Sequence, residues 1–237
     1  MIKRIFQRLE PYLLGIYYKL QYPSSPNLRG DRDVEFSWIA ANMPIGPGKA
    51  LEFGCGVPGA FSINNLALIA ARRGYITTAI DLLPVQWFYS FSNLNFIQGD
   101  IFNLGFEPSS FDLIINCSSI EHVGLVGRYS VTQSRPDGDI EAMNIMARCL
   151  KPEGTMLLTI PVGREMVFAP SHRVYGEKRI VELLKSYVIE KEEYWIKNDR
   201  NQWIIAEKKE AFNLKPSKTF YGLGCFILHP LKKESGR

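Results

Sequence analysis

The chain has 237 residues, 46% of them hydrophobic and 22% charged, a balance that excludes a disordered chain and a membrane-embedded bundle. That length admits one large core without requiring a second domain. The net charge of +4 resides in residues 1–30, where Lys3, Arg4, Arg8, Lys19 and Arg29 stand against Glu10 alone, so the neutral remainder excludes broad nucleic-acid binding.

In "MIKRIFQRLE" the apolar residues Ile2, Ile5, Phe6 and Leu9 recur at helical spacing opposite Lys3, Arg4 and Arg8, which predicts an amphipathic helix. The following "PYLLGIYYKL" is too short and too flanked by charge to span a bilayer. Two readings stand for residues 1–22. One is a helix packed on its own domain or on a second copy in a homodimer. The other is a peripheral anchor whose basic face meets anionic lipid at the inner face of the membrane. "QYPSSPNLRGDRD" reads as a linker from its Pro, Ser and Gly content, dividing the chain into a helical extension over 1–30 and a main domain over 31–237. Charges at Arg8 and Glu10 interrupt any N-terminal apolar run and no small-residue cleavage site follows, so a cytoplasmic protein is expected.

From residue 47 onward strand and helix patterns alternate. "GKALEF" is a short apolar strand ending at a glycine loop. "SINNLALIAARRG" has the shape of a helix, with Ser62 to cap its start, Arg72 and Arg73 at its negative end and Gly74 to stop it. "YITTAID", "LNFIQGD" and "FDLIINC" read as strands ending in Asp81, Asp100 and Cys117. "DIEAMNIMARCLKPEG" reads as a helix stopped near Lys151 and Pro152, "TMLLTIPVG" as a buried strand and "EKRIVELLKSY" as a further helix. Strands joined by helix-length connections predict an α/β fold, a doubly wound Rossmann-like and mostly parallel sheet with helices on both faces. The four cysteines, Cys55, Cys117, Cys149 and Cys225, show no C-x-x-C spacing and read as reduced thiols packed among apolar neighbours.

The run "EFGCGVPGAF" spells the G-x-G-x-x-G fingerprint of a dinucleotide turn at Gly54, Gly56 and Gly59. A pyrophosphate there needs backbone N–H groups and no adjacent carboxylate, yet Pro58 supplies no N–H and Glu52 adds a negative charge. A sulfonium ligand with an ammonium group and no phosphate tolerates both. In an open parallel sheet ligands bind beyond the carboxyl ends of the strands, where Glu52, Asp81, Asp100 and Cys117 are expected to gather.

These pieces, in this order, resemble the class I S-adenosylmethionine-dependent methyltransferases. "LEFGCG" is similar to that family's acid-then-glycine motif, "QGD" to its adenine-side motif and "FDLIINCSSIEHV" to its fourth-strand motif. "LKPEGTMLLTIPV" is similar to its helix, turn and fifth strand, and "HRVYGEKRIVELLKSYVIEKEEYW" to its late helix and sixth strand. The resemblance spans residues 35–228 and implies roles for S-adenosylmethionine as cofactor. Gly54 and Gly56 would admit the methionine part, Asp81 would accept the ribose hydroxyls and Asp100 the adenine amino group. The Ile101 N–H would reach the adenine ring, the Cys117 carbonyl would face the ammonium and Glu52 would act through water. Pro58 followed by Gly59 departs from the family's usual third-glycine spacing, which implies a differently shaped loop.

For the methyl acceptor, the long polar connection over 118–139 carries Glu121, His122, Arg128, Tyr129, Asp137 and Asp139, and His172 with Arg173 follow the fifth strand on the same sheet edge. His122 is the expected general base, with Glu121, Arg128, His172 and Arg173 as acceptor-binding residues. The spacing of Glu121, His122 and the loop aspartates fits no specific metal motif, and no metal is expected. The expected acceptor is a small molecule or a glycan, methylated at oxygen. "SSIEHVGLVGRY" with "RPDGD" is similar to a bacterial methyltransferase subgroup associated with surface-glycan pathways. Two other readings stay open: an NAD-binding oxidoreductase and a noncatalytic binding module of the same fold. Tyr187 and Lys191 match the Y-x-x-x-K pattern of short-chain dehydrogenases, but they fall in "YVIEKEEYW", which reads as a strand.

Overall fold

The computed structural model describes residues 26–56, 65–85, 90–127, 129 and 131–232; residues 1–22, Pro58, Gly59, Ser62 and Arg128 lie outside them. Helix α1 (Asp31–Asn42) begins inside the expected linker. Gly30 precedes it at φ 82, and Asp31 and Asp33 put two carboxylates in its first turn, where the positive end of the helix dipole favours them. Strand β1 (Gly48–Phe53), α2 (Leu66–Arg72), β2 (Tyr75–Asp81), β3 (Leu94–Gln98) and β4 (Phe111–Cys117) follow. A 3-10 turn (Ile120–His122), α3 (Gly138–Cys149) and β5 (Leu150–Val162) come next. A hairpin of β6 (Met166–Phe168) and β7 (His172–Val174) leads to α4 (Glu177–Leu184) and β8 (Tyr187–Lys197). The chain closes with β9 (Trp203–Ala206), α5 (Lys208–Asn213) and β10 (Gly222–Pro230).

The large sheet has the order β3-β2-β1-β4-β5-β10-β8-β9. Strands β1 to β5 are parallel neighbours, whereas β10 lies antiparallel between β5 and β8, and β9 pairs antiparallel at the edge. The doubly wound, mostly parallel reading therefore holds, with the last strand inserted into the sheet. Strand period sorts the core into two faces. Leu113, Ile115 and Cys117 of β4 join Ala50, Leu157 and Cys225 under α1 and α2. Ile114 joins Leu51, Met156, Leu158 and Phe226 under α3, α4 and α5. All four cysteines are buried free thiols. Tyr187 and Lys191 lie in β8, so the dehydrogenase-like pattern never meets on a helix face. No described helix is long and apolar enough to cross a membrane.

The helix ends differ from the sequence expectation where tertiary contacts take over. The segment expected to end a helix at residues 150–154 instead opens β5, with a register shift against β4 between Phe111 and Leu113. At the end of α2, Arg73 turns away from its own helix and donates to the Ala40 carbonyl at 2.8 Å and to the Met43 carbonyl. The last turn of α1 thereby gains donors for carbonyls a helix end leaves open.

Beneath the connection after β4, Asp139 of α3 is fully buried. It accepts two hydrogen bonds from Arg179, at 3.0 and 2.6 Å, and one from the Tyr175 hydroxyl at 3.1 Å, with the Arg173 guanidinium 3.7 Å away. Removing one member of such a group strands the opposite charge in a dry site. Asp139→Ala is expected to lower the unfolding free energy by about 3–5 kcal/mol in urea titration; a loss below about 1 kcal/mol would show that the cluster is as weak as a solvated surface pair.

Candidate functional site

Chain order runs β1, β2, β3 toward one edge and then returns to β4 and β5 on the other side of β1, so connections leave β1 and β4 in opposite directions and open a crevice at their carboxyl ends. A cleft of about 650 Å³ occupies that place, lined by Gly54, Gly56, Asp81, Asp100, Ile101, Cys117 and His122 among others. The structure thus brings together six of the seven residues expected at the cofactor and the expected base. Glu52, Glu121, His172 and Arg173 are buried and do not line the cleft.

Gly54 sits at φ 73, and a Cβ there would meet the Ser119 Oγ at 2.3 Å. Only glycine lets the turn after β1 come this close to the turn after β4. A Cβ at Gly56 would stand 2.9 Å from the Asp81 carboxylate, whose Oδ2 accepts the Gly56 N–H at 2.8 Å while Oδ1 accepts the Leu83 N–H at 2.9 Å. An ionised carboxylate offers about four lone-pair sites, so each Asp81 oxygen keeps one for a vicinal diol in the cleft. Burial lifts the Asp81 carboxyl above its ordinary range, against the pull of the Leu83 and Gly56 N–H groups. Asp100 does part of the work of a local cap: its Oδ1 accepts the Phe102 N–H at 3.1 Å, and its carbonyl accepts the Asn103 and Leu104 N–H groups.

At the end of β4 the Ser119 hydroxyl lies 3.0 Å from the Cys117 carbonyl and 3.1 Å from the Gly54 carbonyl, so its single hydrogen is shared between two acceptors. The Cys117 thiol is held protonated by burial, well above the usual thiol range. The lining groups here are carbonyls, which suit a donor such as an ammonium.

Glu52 lies beneath this surface, 0% exposed. Its Oε2 accepts the Ala67 N–H at 2.9 Å and its Oε1 has no partner among the described residues. Burial lifts its carboxyl to about 8, aided by the nearby Asp81.

The acceptor side mixes surface and support. His122 lines the cleft, and its Nδ1 is 2.6 Å from the Ser171 carbonyl in the β6–β7 hairpin. A carbonyl only accepts, so Nδ1 carries the hydrogen and a neutral ring keeps its lone pair on Nε2. That Nε2 is 3.7 Å from Glu121 Oε1. The His172 ring is packed against Tyr221, Phe168 and His122, at centroid distances of 5.1, 5.5 and 6.5 Å. The Arg173 guanidinium donates to the carbonyls of Val123, Pro136 and Glu121 at 2.6, 3.1 and 3.4 Å. It closes the base of the 124–136 loop from behind. Gly124 completes that closure: at φ 79 its Cβ would lie 2.1 Å from the Arg135 carbonyl.

Sequence reasoning missed α1's contribution. Arg32 and Phe36 line the cleft, and the fully buried Glu35 between them bonds Arg32 at 2.8 Å, Thr159 Oγ1 at 2.9 Å and the Ser118 hydroxyl. Thr132, Gln133 and Arg135 of the loop were not singled out either, and with Tyr129 they line the other wall. The signal for α1 was the acidic pair Asp31 and Asp33 ahead of Phe36, Trp38 and Ile39, masked by the Pro- and Ser-rich run before it. Among the described residues, no group of three His, Cys, Asp or Glu side chains is placed to hold a metal ion.

Residues 101–211, less than half of the chain, match a family model described as "Caenorhabditis protein of unknown function, DUF268". No curated protein matches the chain in sequence. Among solved structures the chain is similar to the 1,6-didemethyltoxoflavin-N1-methyltransferase of Burkholderia thailandensis, solved with 1,6-didemethyltoxoflavin and S-adenosylhomocysteine bound. The two are 12% identical, with 95% of this chain and 86% of that one covered and a TM-score of 0.54. It is also similar to the N-methyltransferase NodS of Bradyrhizobium japonicum WM9, solved with S-adenosyl-L-homocysteine, at 13% identity, 88% and 90% coverage and a TM-score of 0.52. The cyclase SpnF aligns at 18% identity, 73% and 64% coverage and a TM-score of 0.50. The chain has the fold of the class I S-adenosylmethionine-dependent methyltransferases, and that fold also carries an enzyme named for another chemistry.

The state of Glu52 has a measurable sign. Its carboxyl moves from 4.5 to about 8 on folding, so the folded chain holds a proton that the unfolded chain releases. This group's stability contribution is fully present below about pH 4.5 and falls as pH rises toward about 8, by at most about 1.4 kcal/mol per unit. Glu52→Gln is expected to remove that slope, so the variant gains on the wild type in urea unfolding between those two pH values. A difference that stays flat with pH would mean that Glu52 is ionised in the folded protein.

Proposed function

We propose that the protein is an S-adenosylmethionine-dependent methyltransferase acting on a hydroxyl oxygen of a small-molecule or glycan acceptor. The observation that carries this reading is the pairing of two glycine positions that admit no Cβ with a carboxylate that keeps lone pairs toward the cleft: Gly54, Gly56 and Asp81. The residues fit the cofactor. Asp81 would take the ribose diol, Asp100 and Ile101 the adenine edge, and the carbonyl-rich end of β4 at Cys117 the ammonium. Bound S-adenosylmethionine supplies a methyl group on a sulfonium whose departure is already favourable.

The protein's own task is then alignment, together with removal of the hydroxyl proton. We assign the second to His122. Its Nδ1–H is fixed on the Ser171 carbonyl, which orients the ring and leaves Nε2 as the proton acceptor. A proton taken at Nε2 is stabilised by Glu121, whose Oε1 lies 3.7 Å away in a buried setting. Phe36, Tyr129 and Val131 add aromatic and aliphatic surface to the lining of the same cleft.

Calorimetric titration with S-adenosylmethionine, S-adenosylhomocysteine and NADH tests the cofactor reading. Micromolar binding of the first two, weakened about 10-fold or more by Asp81→Ala, is expected; selective binding of NADH would instead support the oxidoreductase reading. In a panel of hydroxyl-bearing acceptors followed by S-adenosylhomocysteine release, His122→Ala is expected to reduce kcat by about 100-fold or more. Cofactor affinity should stay within about twofold. Undiminished turnover would remove His122 from proton transfer.

A further inference from the structure

The cleft has a direction. Across the sheet order, Asp100 and Ile101 follow β3, Asp81 ends β2, Gly54 and Gly56 follow β1, and Cys117 to Ser119 follow β4. With adenine and ribose at the β3 and β2 end, the amino-acid part of the cofactor lies over β1 and β4. Its carboxylate enters a cleft whose β4 end offers carbonyl oxygens, which repel an anion.

Arg32 and Arg135 are the cationic side chains among the described lining residues. Arg135 is at the wrong end, its guanidinium 4.3 Å from the centroid of Phe102, two residues beyond Asp100, and paired with Glu141 at 3.2 Å. Arg32 is anchored at the right one. Its Nη1 donates to Glu35 Oε2 at 2.8 Å, and Glu35 Oε1 accepts from Ser118 and from Thr159, at the ends of β4 and β5. One donor of the fork is thereby used and four remain, on a side chain 47% exposed and facing the cleft.

We propose, on the basis of the cofactor reading above, that Arg32 binds the carboxylate of the cofactor's amino-acid end, with Glu35 as the residue that positions it. The purpose of the buried Glu35 follows. A fully buried carboxylate satisfied by Arg32, Ser118 and Thr159 locks α1 onto the sheet, so the guanidinium meets its ligand without first being ordered.

The test compares two ligands that differ only in that carboxylate, S-adenosylmethionine and its decarboxylated form, titrated calorimetrically into the wild type, Arg32→Gln and Arg32→Lys. Arg32→Gln is expected to weaken S-adenosylmethionine about 10- to 100-fold while decarboxylated S-adenosylmethionine changes by less than about threefold. Arg32→Lys, which keeps a cation beside Glu35, is expected to lose less. Variants that weaken both ligands equally, or neither, overturn the assignment and leave Arg32 as a counter-ion for Glu35. A wild type that binds the two ligands equally well overturns it too, while leaving the cofactor reading standing. A wild type that binds neither overturns both.

Discussion

The rest of the site depends on how closely the turns after β1 and β4 approach. Strands β1 and β4 are paired neighbours through Phe53 and Asn116, and at the next step of the chain Gly54 meets Ser119 where no side chain could stand between them. The Gly54 N–H goes to the Ile80 carbonyl at 2.9 Å, which binds the same turn to β2. Three strand ends are thus fixed to one another by backbone and hydroxyl contacts, and the ligand-facing atoms inherit their positions from that junction. A larger residue at position 54 would push apart the two walls whose separation defines the cleft.

Around this junction the buried carboxylates Asp139, Glu35 and Glu52 are held in three different ways. Asp139 sits among two guanidinium groups and a tyrosine hydroxyl, and through them it fixes the base of the loop over 124–136. Glu35 combines one guanidinium with two hydroxyls and joins α1 to β4 and β5. Among the described residues Glu52 has a single N–H partner, and burial lifts its carboxyl to about 8, so it stays protonated at neutral pH instead of carrying a charge. The first two are fasteners at the edge of the cleft. The third lies under its floor, where an ionised group would meet Asp81 across a dry interval.

The half of the site that was legible in the sequence is the half built from residues local to strand ends. Gly54, Gly56, Asp81, Asp100, Ile101 and Cys117 each sit within three residues of a strand terminus, and strand period plus chain order suffices to gather them. Burial is a property of the assembled fold and is not legible in a local pattern of residues. His172 and Arg173 were placed on the correct sheet edge, but only the packing of the β6–β7 hairpin against the turn after β4 shows that they support the wall and do not form it. The insertion of β10 between β5 and β8 was equally hidden, since no local pattern says where a final strand will pair. Helix α1 was lost for a third reason: turn-forming residues just before it outweighed a short apolar face.

This division has a chemical consequence. The fold that supplies the strand ends is shared with solved structures named for different activities, a 1,6-didemethyltoxoflavin-N1-methyltransferase and a cyclase among them. The opposite wall is formed by α1 and the loop over 124–136, with the hairpin that orients His122 packed behind it; these parts are far apart in sequence and tied to the sheet by side chains. Such parts can change length and composition without disturbing the Gly54 junction. His122 belongs to both regions. Its backbone lies four residues beyond Ser118, in the turn that follows β4, whereas its ring direction is set by the Ser171 carbonyl from the hairpin. The direction of the His122 ring is therefore set by parts of the chain outside the sheet, and that side of the cleft, more than the strand ends, is free to differ between proteins that share this fold.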